Sequence, residues 1–544
     1  MLIDKDGRIR LSKYTRVVIQ ERFSIYWEGF VYGYDKSAGE LSIKAFLQAV
    51  EDHGICEARR GLVGSYAIAV NDRTTQEWLA FSDPTRSLPW YSDGTLLSTS
   101  FVDLAKAKGC TVKDLSPESV VEFLLTGLQF GPEILFRGIR IIEPDHLVRW
   151  RDGKFYIERD ERTLDPFRMP APREPIEAFL DTWRKFVFAI EGEKVSVDLT
   201  GGTDTRLIVG ILDSLGMEFE TGVSGTAEHP DVVISKQVAA AMKDRHPHYV
   251  CIHSVDPERL WQELYEVVRA VDGVVADIAS AHRLYQLATS RSSRGISLVI
   301  GGSGGELYKD GGWWRTAALL GPGPAPGERL IRRLVESGLI GWGMEAKYPT
   351  NFFSSELCDI ANGYKDSLIQ RLKNRYAHNF SEGVYRLADR LFFEYSARAP
   401  RGFGARILPT YNPLLDMPWV VVGINLPRSQ RFLCRFYRRV LGRLNPTLAQ
   451  IPTTRGGMTL RAGKELVEFL RILRALWEGR WKSPIPKENP LLIQTLRHSP
   501  QTARVLDDLK ALKVVADNIG VNEIGDRYLG RLLTLWILLD LICG

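Results

Sequence analysis

The segment 194–206 constrains the fold of this chain more than any other part of its sequence. A strand-like apolar run over 194–199 ends in Thr200 and two glycines, and a helical pattern begins at once after Asp204. A strand that passes into a helix through two glycines brings backbone N–H groups and the positive end of the helix dipole to one point, which suits an anion. The same alternation continues along the chain, with further strands expected at 219–224, 249–252 and 296–300. Strands separated by crossover helices predict a parallel sheet.

Length and composition narrow the class of protein. The 544 residues are enough for two to four domains at roughly 150 residues each. With 44% hydrophobic and 25% charged residues, the chain has the composition of a globular protein and not that of a disordered, collagen-like or coiled-coil one. The net charge of +5 is small for this length, so no nucleic-acid partner is expected. The six cysteines are scattered, which argues against a disulfide scaffold or a zinc site.

The apolar segments of the chain predict neither secretion nor membrane insertion. The first residues, from Met1 to Asp6, contain no apolar core of a signal peptide. The most apolar stretch, 532–543, includes Asp540 and is shorter than the roughly 20 residues that a spanning helix needs. This stretch predicts a buried terminal helix, and we expect a cytoplasmic protein with no membrane partner.

The first 165 residues differ in pattern from the rest. One helix is expected at 43–53, the dipeptide Asp93-Gly94 indicates a hairpin, and strands are expected at 62–71, 78–81, 145–150 and 154–157. The proline-rich stretch 165–175 predicts a linker. A second domain over 166–544 then begins with a helix at 176–189, continues with the strand–helix alternation, and is mostly helical from Glu328 onward. The loop 321–327 is expected to act as a spacer.

The turn from Thr200 to Thr205 has the residue types of a phosphate site. Gly201 and Gly202 allow the backbone to approach an anion closely, and the two threonines add hydroxyl donors. Asp204 cannot attract phosphate, so it is better explained as a ligand of a magnesium ion that bridges phosphates. The chain contains no GxxxxGK[ST] motif, which excludes a Walker-type site. On this segment alone, an ordinary strand–turn–helix capped by Asp204 or Thr205 stays open as the alternative.

The same turn resembles the SGGxDS pyrophosphate loop of the ATP-pyrophosphatase group, with threonine in place of both serines. Five further segments resemble motifs of the asparagine synthetase family in the family's order, at 61–72, 80–91, 298–308, 413–416 and 451–457. The similarity extends from about residue 26 to 460. It implies an Ntn-hydrolase-like sandwich, related to class II amidotransferase domains, over 1–165. A doubly wound, parallel-sheet ATP-pyrophosphatase domain of the adenine nucleotide α-hydrolase type is implied over 166–544, with a helical C-terminal part.

The resemblance also implies ATP and Mg²⁺ as cofactors. The residues that would bind the nucleotide are Leu199, Thr200, Gly201, Gly202, Asp204, Thr205, Val223, Ser224 and Gly302. Magnesium would be held by Asp204 and Glu306 when the second loop, 301–308, is aligned on its flanking glycines. Aligned on the Glu-Leu pair instead, Gly305 replaces the family's metal-binding Asp. The first alignment is preferred because it keeps an anionic metal ligand.

Three residues are implied in catalysis. Ser303 and Glu306 lie in the second loop, where Ser303 takes a position held by Glu or Tyr in relatives. Arg455 stands where the family places a Lys that steadies the transition state and the departing pyrophosphate. Arginine keeps that charge and adds a bidentate fork, but it cannot donate its proton.

The activity implied by the resemblance is that of a ligase. A substrate carboxylate would attack ATP to give an acyl-adenylate and pyrophosphate, and ammonia or an amine would then displace AMP. Leu2 stands where the family's glutaminase has its cysteine, so no glutamine hydrolysis is expected. An amine on the same substrate would make the chain a cyclase, similar to β-lactam synthetases or lasso-peptide cyclases.

A non-catalytic, nucleotide-binding member of the family is the second alternative. The expected partners are a small-molecule or peptide carboxylate and ammonia or an amine. A homodimer is compatible with the sequence.

Overall fold

The computed structural model of the chain describes residues 1–33, 38–85, 87–160, 165–243, 245–273, 277–321, 323–340, 350–397, 407–454, 457–467, 469–470 and 490–544. Arg455, which the resemblance assigns to pyrophosphate, lies outside these ranges. The described chain forms two antiparallel sheets in its N-terminal part, one parallel sheet after them, and a mainly helical remainder. It is a mixed α/β fold with a helical C-terminal region.

The N-terminal part is built on two antiparallel sheets. Its strands are β1 (Leu2–Ile3), β2 (Ile9–Arg10), β3 (Arg16–Ile19), β4 (Phe23–Tyr32), β5 (Val63–Asp72), β6 (Glu77–Ser82), β7 (Tyr91–Ser92), β8 (Leu97–Ser98), β9 (Arg140–Ile141), β10 (His146–Arg151) and β11 (Lys154–Arg159). One sheet has the order β2-β1-β8-β7-β9 and the other has the order β11-β10-β6-β5-β4-β3. The predicted hairpin at Asp93-Gly94 joins β7 to β8.

The two sheets and their helices are stacked in layers. The helices here are α1 (Gly39–His53), α2 (Ile55–Ala58), α3 (Phe101–Lys108) and α4 (Pro117–Thr126). Strand β5 is buried along most of its length, because Ala67 and Ala69 face the core between the sheets while Ile68 and Val70 face the core under α1. Successive side chains of a strand point to opposite faces, so a strand covered on both faces reads as a continuous apolar run.

The predicted parallel sheet is present in the second part of the chain. Its strands are β12 (Val195–Asp198), β13 (Glu220–Ser224), β14 (His248–Cys251), β15 (Leu298–Ile300) and β16 (Thr410–Tyr411). The spatial order is β14-β13-β12-β15-β16, and every neighbouring pair is parallel. Helix α5 (Pro175–Ala189) precedes the first of these strands, and the helices between them include α6 (Asp204–Ser214), α7 (Pro230–Ala241), α8 (Leu260–Ala270) and α9 (Ile278–Ser293).

The C-terminal half is mainly helical, as predicted, but it also contains one short strand, and one helix begins inside the predicted loop. Its helices are α10 (Gly312–Ala318), α11 (Pro326–Glu336), α12 (Ser355–Tyr376), α13 (Val384–Leu391), α14 (Met417–Ile424), α15 (Arg428–Arg431), α16 (Arg435–Leu444), α17 (Pro446–Gln450), α18 (Pro490–Arg497), α19 (Pro500–Ala511) and α20 (Asp526–Cys543). The region expected to be helical also supplies β16. Helix α11 begins inside the predicted 321–327 loop, because proline is favourable in a first helical turn.

Two segments that stood out in the sequence, 532–543 and 165–175, are at least partly buried. Helix α20 contains the apolar 532–543 stretch and is largely buried, as expected. In the described ranges we find no helix with the length and apolar character needed to cross a membrane. The predicted linker 165–175 is not fully exposed, since Pro166 and Phe167 form a buried turn.

A buried carboxylate joins the N-terminal sheets to the parallel-sheet part. Asp416 accepts hydrogen bonds from the Gly64 amide at 2.8 Å and from the Tyr411 hydroxyl at 2.5 Å. The hydroxyls of Tyr411 and Tyr32 lie 3.2 Å apart. Burial raises the pKa of Asp416 to about 7. The largest hydrophobic core of the described chain also runs across this junction, so the two parts pack as one body.

Candidate functional site

The parallel sheet creates a crevice between β12 and β15. The chain runs outward from β12 to β13 and β14 on one side, and returns to β15 and β16 on the other. In open α/β sheets, ligands bind outside the carboxyl ends of the strands at the point where the order reverses. The predicted phosphate turn follows β12 and the predicted second loop follows β15. The fold therefore brings the two predicted loops to one crevice.

The first loop, 199–205, is a tight turn into α6. Leu199 is buried and donates its amide to the Gly222 carbonyl at 2.9 Å, which extends the β12–β13 pairing. The Thr205 hydroxyl accepts the Thr200 amide at 3.2 Å and lies 3.3 Å from the Thr200 hydroxyl. The Gly202 amide donates to the Thr200 hydroxyl at 3.2 Å. The two threonines thus hold the turn in shape with their side chains.

The second loop approaches the first through its glycines. A Cβ on Gly302 would lie 2.7 Å from Thr205 Cγ2, and a Cβ on Gly305 would overlap the Asp204 carboxylate. Both positions therefore exclude a larger side chain while the loops keep this distance. Gly305 begins a short 3₁₀ turn, Gly305–Tyr308, that also contains Glu306. The Ser303 amide donates to Asn412 Oδ1 at 3.4 Å, which ties this loop to the residue that follows β16.

Asp204 is held by a lysine that the sequence did not point to. Lys309 Nζ lies 2.7 Å and 2.5 Å from the two carboxylate oxygens of Asp204, and 3.4 Å from Thr203 Oγ1. The lysine is 1% exposed. The hydroxyl of the buried Tyr437 also faces Asp204, and its pKa is raised first by burial and then by the charge of Asp204.

The magnesium site expected from the resemblance does not fit these contacts. Asp204 meets an ammonium group where the metal would bind, and the position beside its carboxylate is Gly305. Glu306, the expected second ligand, has its Cβ and Cγ on the side of Gly311. No group of three or more metal-ligating side chains occurs in the part of the chain that the structure describes. The described residues around Asp204 therefore do not form a Mg²⁺ site.

Two other segments of the chain contact the phosphate turn at the backbone of Gly201. The Gly201 amide donates to Asp231 Oδ1 at 2.9 Å, and the Gly201 carbonyl accepts the Thr454 amide at 2.9 Å. The buried Arg206 fixes the segment before Thr454, because its guanidinium donates to the carbonyls of Ile451 and Pro452. Burial lowers the pKa of Arg206 to about 10. The segment that leads into Arg455 thus contacts the turn at Gly201.

The edge expected to hold adenine lies at the ends of β12 and β13. Val223 is buried and Ser224, the last residue of β13, is half-buried. Beside them, Arg291 Nη2 lies 2.7 Å from Asp198 Oδ1 in a pair whose arginine is 4% exposed. A Cβ on Gly222 would lie 2.7 Å from the same guanidinium nitrogen. An ion pair, with a glycine that makes room for it, therefore borders this edge.

Lys309, Asp231 and the Asp198–Arg291 pair are site features that sequence reasoning missed. Each contact joins residues far apart in the chain, 105 residues for Lys309 with Asp204, 30 for Asp231 with Gly201 and 93 for Arg291 with Asp198, so no local spacing indicated it. No pattern in the sequence indicated a buried Lys309, since lysine is rarely buried. The glycines, by contrast, were found because the turn they form is local.

Comparisons with known proteins add little. No family model matches this sequence, and no curated protein matches it. Among solved structures, the chain is similar to an NMN synthetase from Francisella tularensis at 16% identity and a TM-score of 0.21. That alignment covers 39% of this chain and 96% of the other. At this TM-score the likeness has no weight for the fold or for the activity of this chain.

Proposed function

We propose that the chain is an ATP-dependent ligase of the asparagine synthetase type, which activates a carboxylate as an acyl-adenylate and forms an amide bond. The single observation that carries this proposal is the meeting of two glycine-bearing loops at the crevice between β12 and β15. Gly305 lies against Asp204 and Gly302 lies against Thr205. A polyphosphate needs such a close backbone approach beside a helix N-terminus.

The proposed chemistry assigns the first loop to the leaving group. The substrate carboxylate attacks the α-phosphorus, the bond from that phosphorus to its bridging oxygen breaks, and pyrophosphate departs with the electron pair. Thr200, Gly202 and Thr205 would bind pyrophosphate through hydroxyl and amide donors at the start of α6. An amine then attacks the acyl carbon, AMP leaves, and the amine loses a proton. Leu199, Val223 and Ser224 would line the adenine side.

The second loop and the following segment would complete the site. Ser303 and Glu306 are proposed to face the reacting carboxylate, and Arg455 to bind the departing pyrophosphate. The contact of Thr454 with Gly201 supports the assignment of Arg455, since it ties the neighbouring residue to the phosphate turn. Binding at Gly201 requires the phosphate to replace Asp231 as the acceptor of that amide.

The N-terminal layers are proposed to be an Ntn-hydrolase-like scaffold without glutaminase activity. Two facing antiparallel sheets between helices support this assignment. Leu2 is buried in β1 and pairs with β8, so this strand carries no thiol nucleophile at that position. The amine would then come from free ammonia, a separate amine, or the same substrate molecule.

A second candidate is a family member that binds nucleotide without turning it over. Two contacts favour it. Asp204 is neutralised by Lys309, and the Gly201 amide is already bound by the Asp231 carboxylate. Both potential partners of a Mg–polyphosphate group are thus occupied by side chains of the protein.

Product analysis separates the two candidates. The protein is incubated with ATP labelled at the α-phosphate and an extract of amino acids and peptides, and the labelled nucleotides are resolved. The ligase produces AMP together with pyrophosphate, because the attack is at the α-phosphorus. Repeating the reaction after removal of ammonia tests the source of the amine, since neither a cyclase nor a ligase that uses a separate amine needs ammonia.

Arg455 offers the matched variants for this assay. Arg455→Ala should slow AMP formation by roughly two to three orders of magnitude, as for other lost transition-state donors. Arg455→Lys should retain much of the rate, because it keeps the charge. Release of ADP contradicts adenylation, and binding of ATP without turnover in any extract favours the second candidate.

A further inference from the structure

We propose that Lys309 is the resident cation of the nucleotide site, so that the site binds the polyphosphate of ATP without a divalent metal ion. The inference rests on the proposed function, because it concerns the same crevice. It gives Lys309 a role in ligand binding beyond that of a buried structural pair.

The geometry of Lys309 is that of a fixed counter-ion. Its ammonium group contacts both carboxylate oxygens of Asp204, at 2.7 Å and 2.5 Å, and Thr203 Oγ1 at 3.4 Å. Asp204 and Thr203 both belong to the start of α6, where the phosphate turn ends. The ammonium therefore lies beside the end of the phosphate turn, with an acceptor for each of its three protons.

The turn before Lys309 fixes the lysine stem inside the protein. Leu307 and Tyr308 are fully buried, and the Tyr308 hydroxyl donates to the Trp419 carbonyl at 2.5 Å. The lysine follows directly and is 1% exposed. A side chain held in this way has few other rotamers, so its ammonium group is already in position before a ligand binds.

The electrostatics of the site favour a lysine over a metal. A lone carboxylate at Asp204 would repel a polyphosphate, and a cation between them removes that repulsion. Lys309 already supplies the cation. For Mg²⁺ to bind Asp204, it would have to displace the ammonium from both oxygens and leave a buried lysine without its partner. Gly305, beside the carboxylate, offers no second acidic ligand in exchange.

Calorimetric titration tests the proposal on the full chain. The probe is α,β-methylene-ATP, titrated once with excess Mg²⁺ and once with EDTA. We expect dissociation constants within about threefold of each other for the wild-type chain. Lys309→Met should weaken binding in EDTA by roughly ten- to a hundredfold, because the Asp204 carboxylate then loses its counter-charge and repels the phosphates. Added Mg²⁺ should recover part of that loss, because the ammonium no longer blocks the Asp204 carboxylate.

Two further variants control the comparison. Lys309→Arg keeps the charge and should keep binding in EDTA. Lys513→Met removes a lysine that pairs with Glu356 at 2.6 Å on an exposed surface, and it should bind like the wild-type chain in both conditions. A wild-type chain that binds only with Mg²⁺ overturns the role of Lys309 and leaves the nucleotide site standing.

Two other results would also reject the proposed role of Lys309. Equal binding by Lys309→Met and the wild-type chain in EDTA would show that the lysine is only structural. A failure of the wild-type chain to bind in either condition rejects the proposed function together with this inference. The wild-type comparison needs no substitution, so it decides even where Lys309→Met does not fold.

Discussion

Asp416 is the residue with the clearest consequence for stability. The residue is 4% exposed, and its carboxyl group accepts hydrogen bonds from the Gly64 and Met417 amides and from the Tyr411 hydroxyl. Burial raises its pKa to about 7, the charge of Asp83 adds to the rise, and the hydrogen bonds oppose it. Between the ordinary value of 3.8 and about 7, the folded chain therefore keeps a proton that the unfolded chain has released.

The stabilising contribution of this proton is complete below the unfolded pKa and is lost as pH rises through the folded one. We predict that the free energy of unfolding of the wild-type chain falls by about 2–3 kcal/mol between roughly pH 5 and pH 8, relative to Asp416→Asn. Urea unfolding of both proteins across this range measures the difference. Parallel pH profiles for the two proteins would show that Asp416 does not titrate in this range.

At the scale of elements, the 3₁₀ turn Gly305–Tyr308 is the part of the site with least room for change. Gly305→Ala would force its methyl group into the Asp204 carboxylate and to 2.8 Å from the Tyr437 hydroxyl. We predict a loss of about 1–3 kcal/mol in stability, as for other overpacked positions, and a loss of most of the stabilisation by ATP. Thermal unfolding with and without ATP measures both effects.

Gly363→Ala is the matched control for that substitution. Gly363 lies in α12, and a Cβ there would meet no atom within 4 Å. The variant should gain roughly 0.5–1 kcal/mol from the better helix propensity of alanine and keep the full response to ATP. A Gly305→Ala protein that responds to ATP like Gly363→Ala would remove the turn from the site.

The elements differ in how far the sequence could predict them. Strands β12 to β15 were predicted within two residues at either end, because each has a regular apolar pattern and is bounded by glycine or polar residues, whereas helix α8 was not predicted. Strand β16 was not predicted, since two residues carry no period and only pairing with β15 defines them. The phosphate turn was predictable because its residues are contiguous. Lys309 and Asp231 were not, since their contacts with it are made by folding.

At the scale of the whole molecule, the site depends on parts of the chain that are far apart in sequence. The two loops, 199–205 and 301–308, come together because the parallel sheet reverses its order between β12 and β15. Thr454 reaches the first loop at Gly201 from the C-terminal half. The N-terminal sheets share the largest core with this part and are linked to it through Asp416. If the two loops form one ATP site, ATP should affect both of them together. This can be tested before the substrate is known.

Hydrogen–deuterium exchange with and without ATP reports on both loops in one experiment. We predict slower exchange in peptides that cover 199–206 and 301–308, at the same ATP concentration for both, and unchanged exchange across α12. Protection of one loop alone, or of neither, would contradict a single polyphosphate site formed by the two loops.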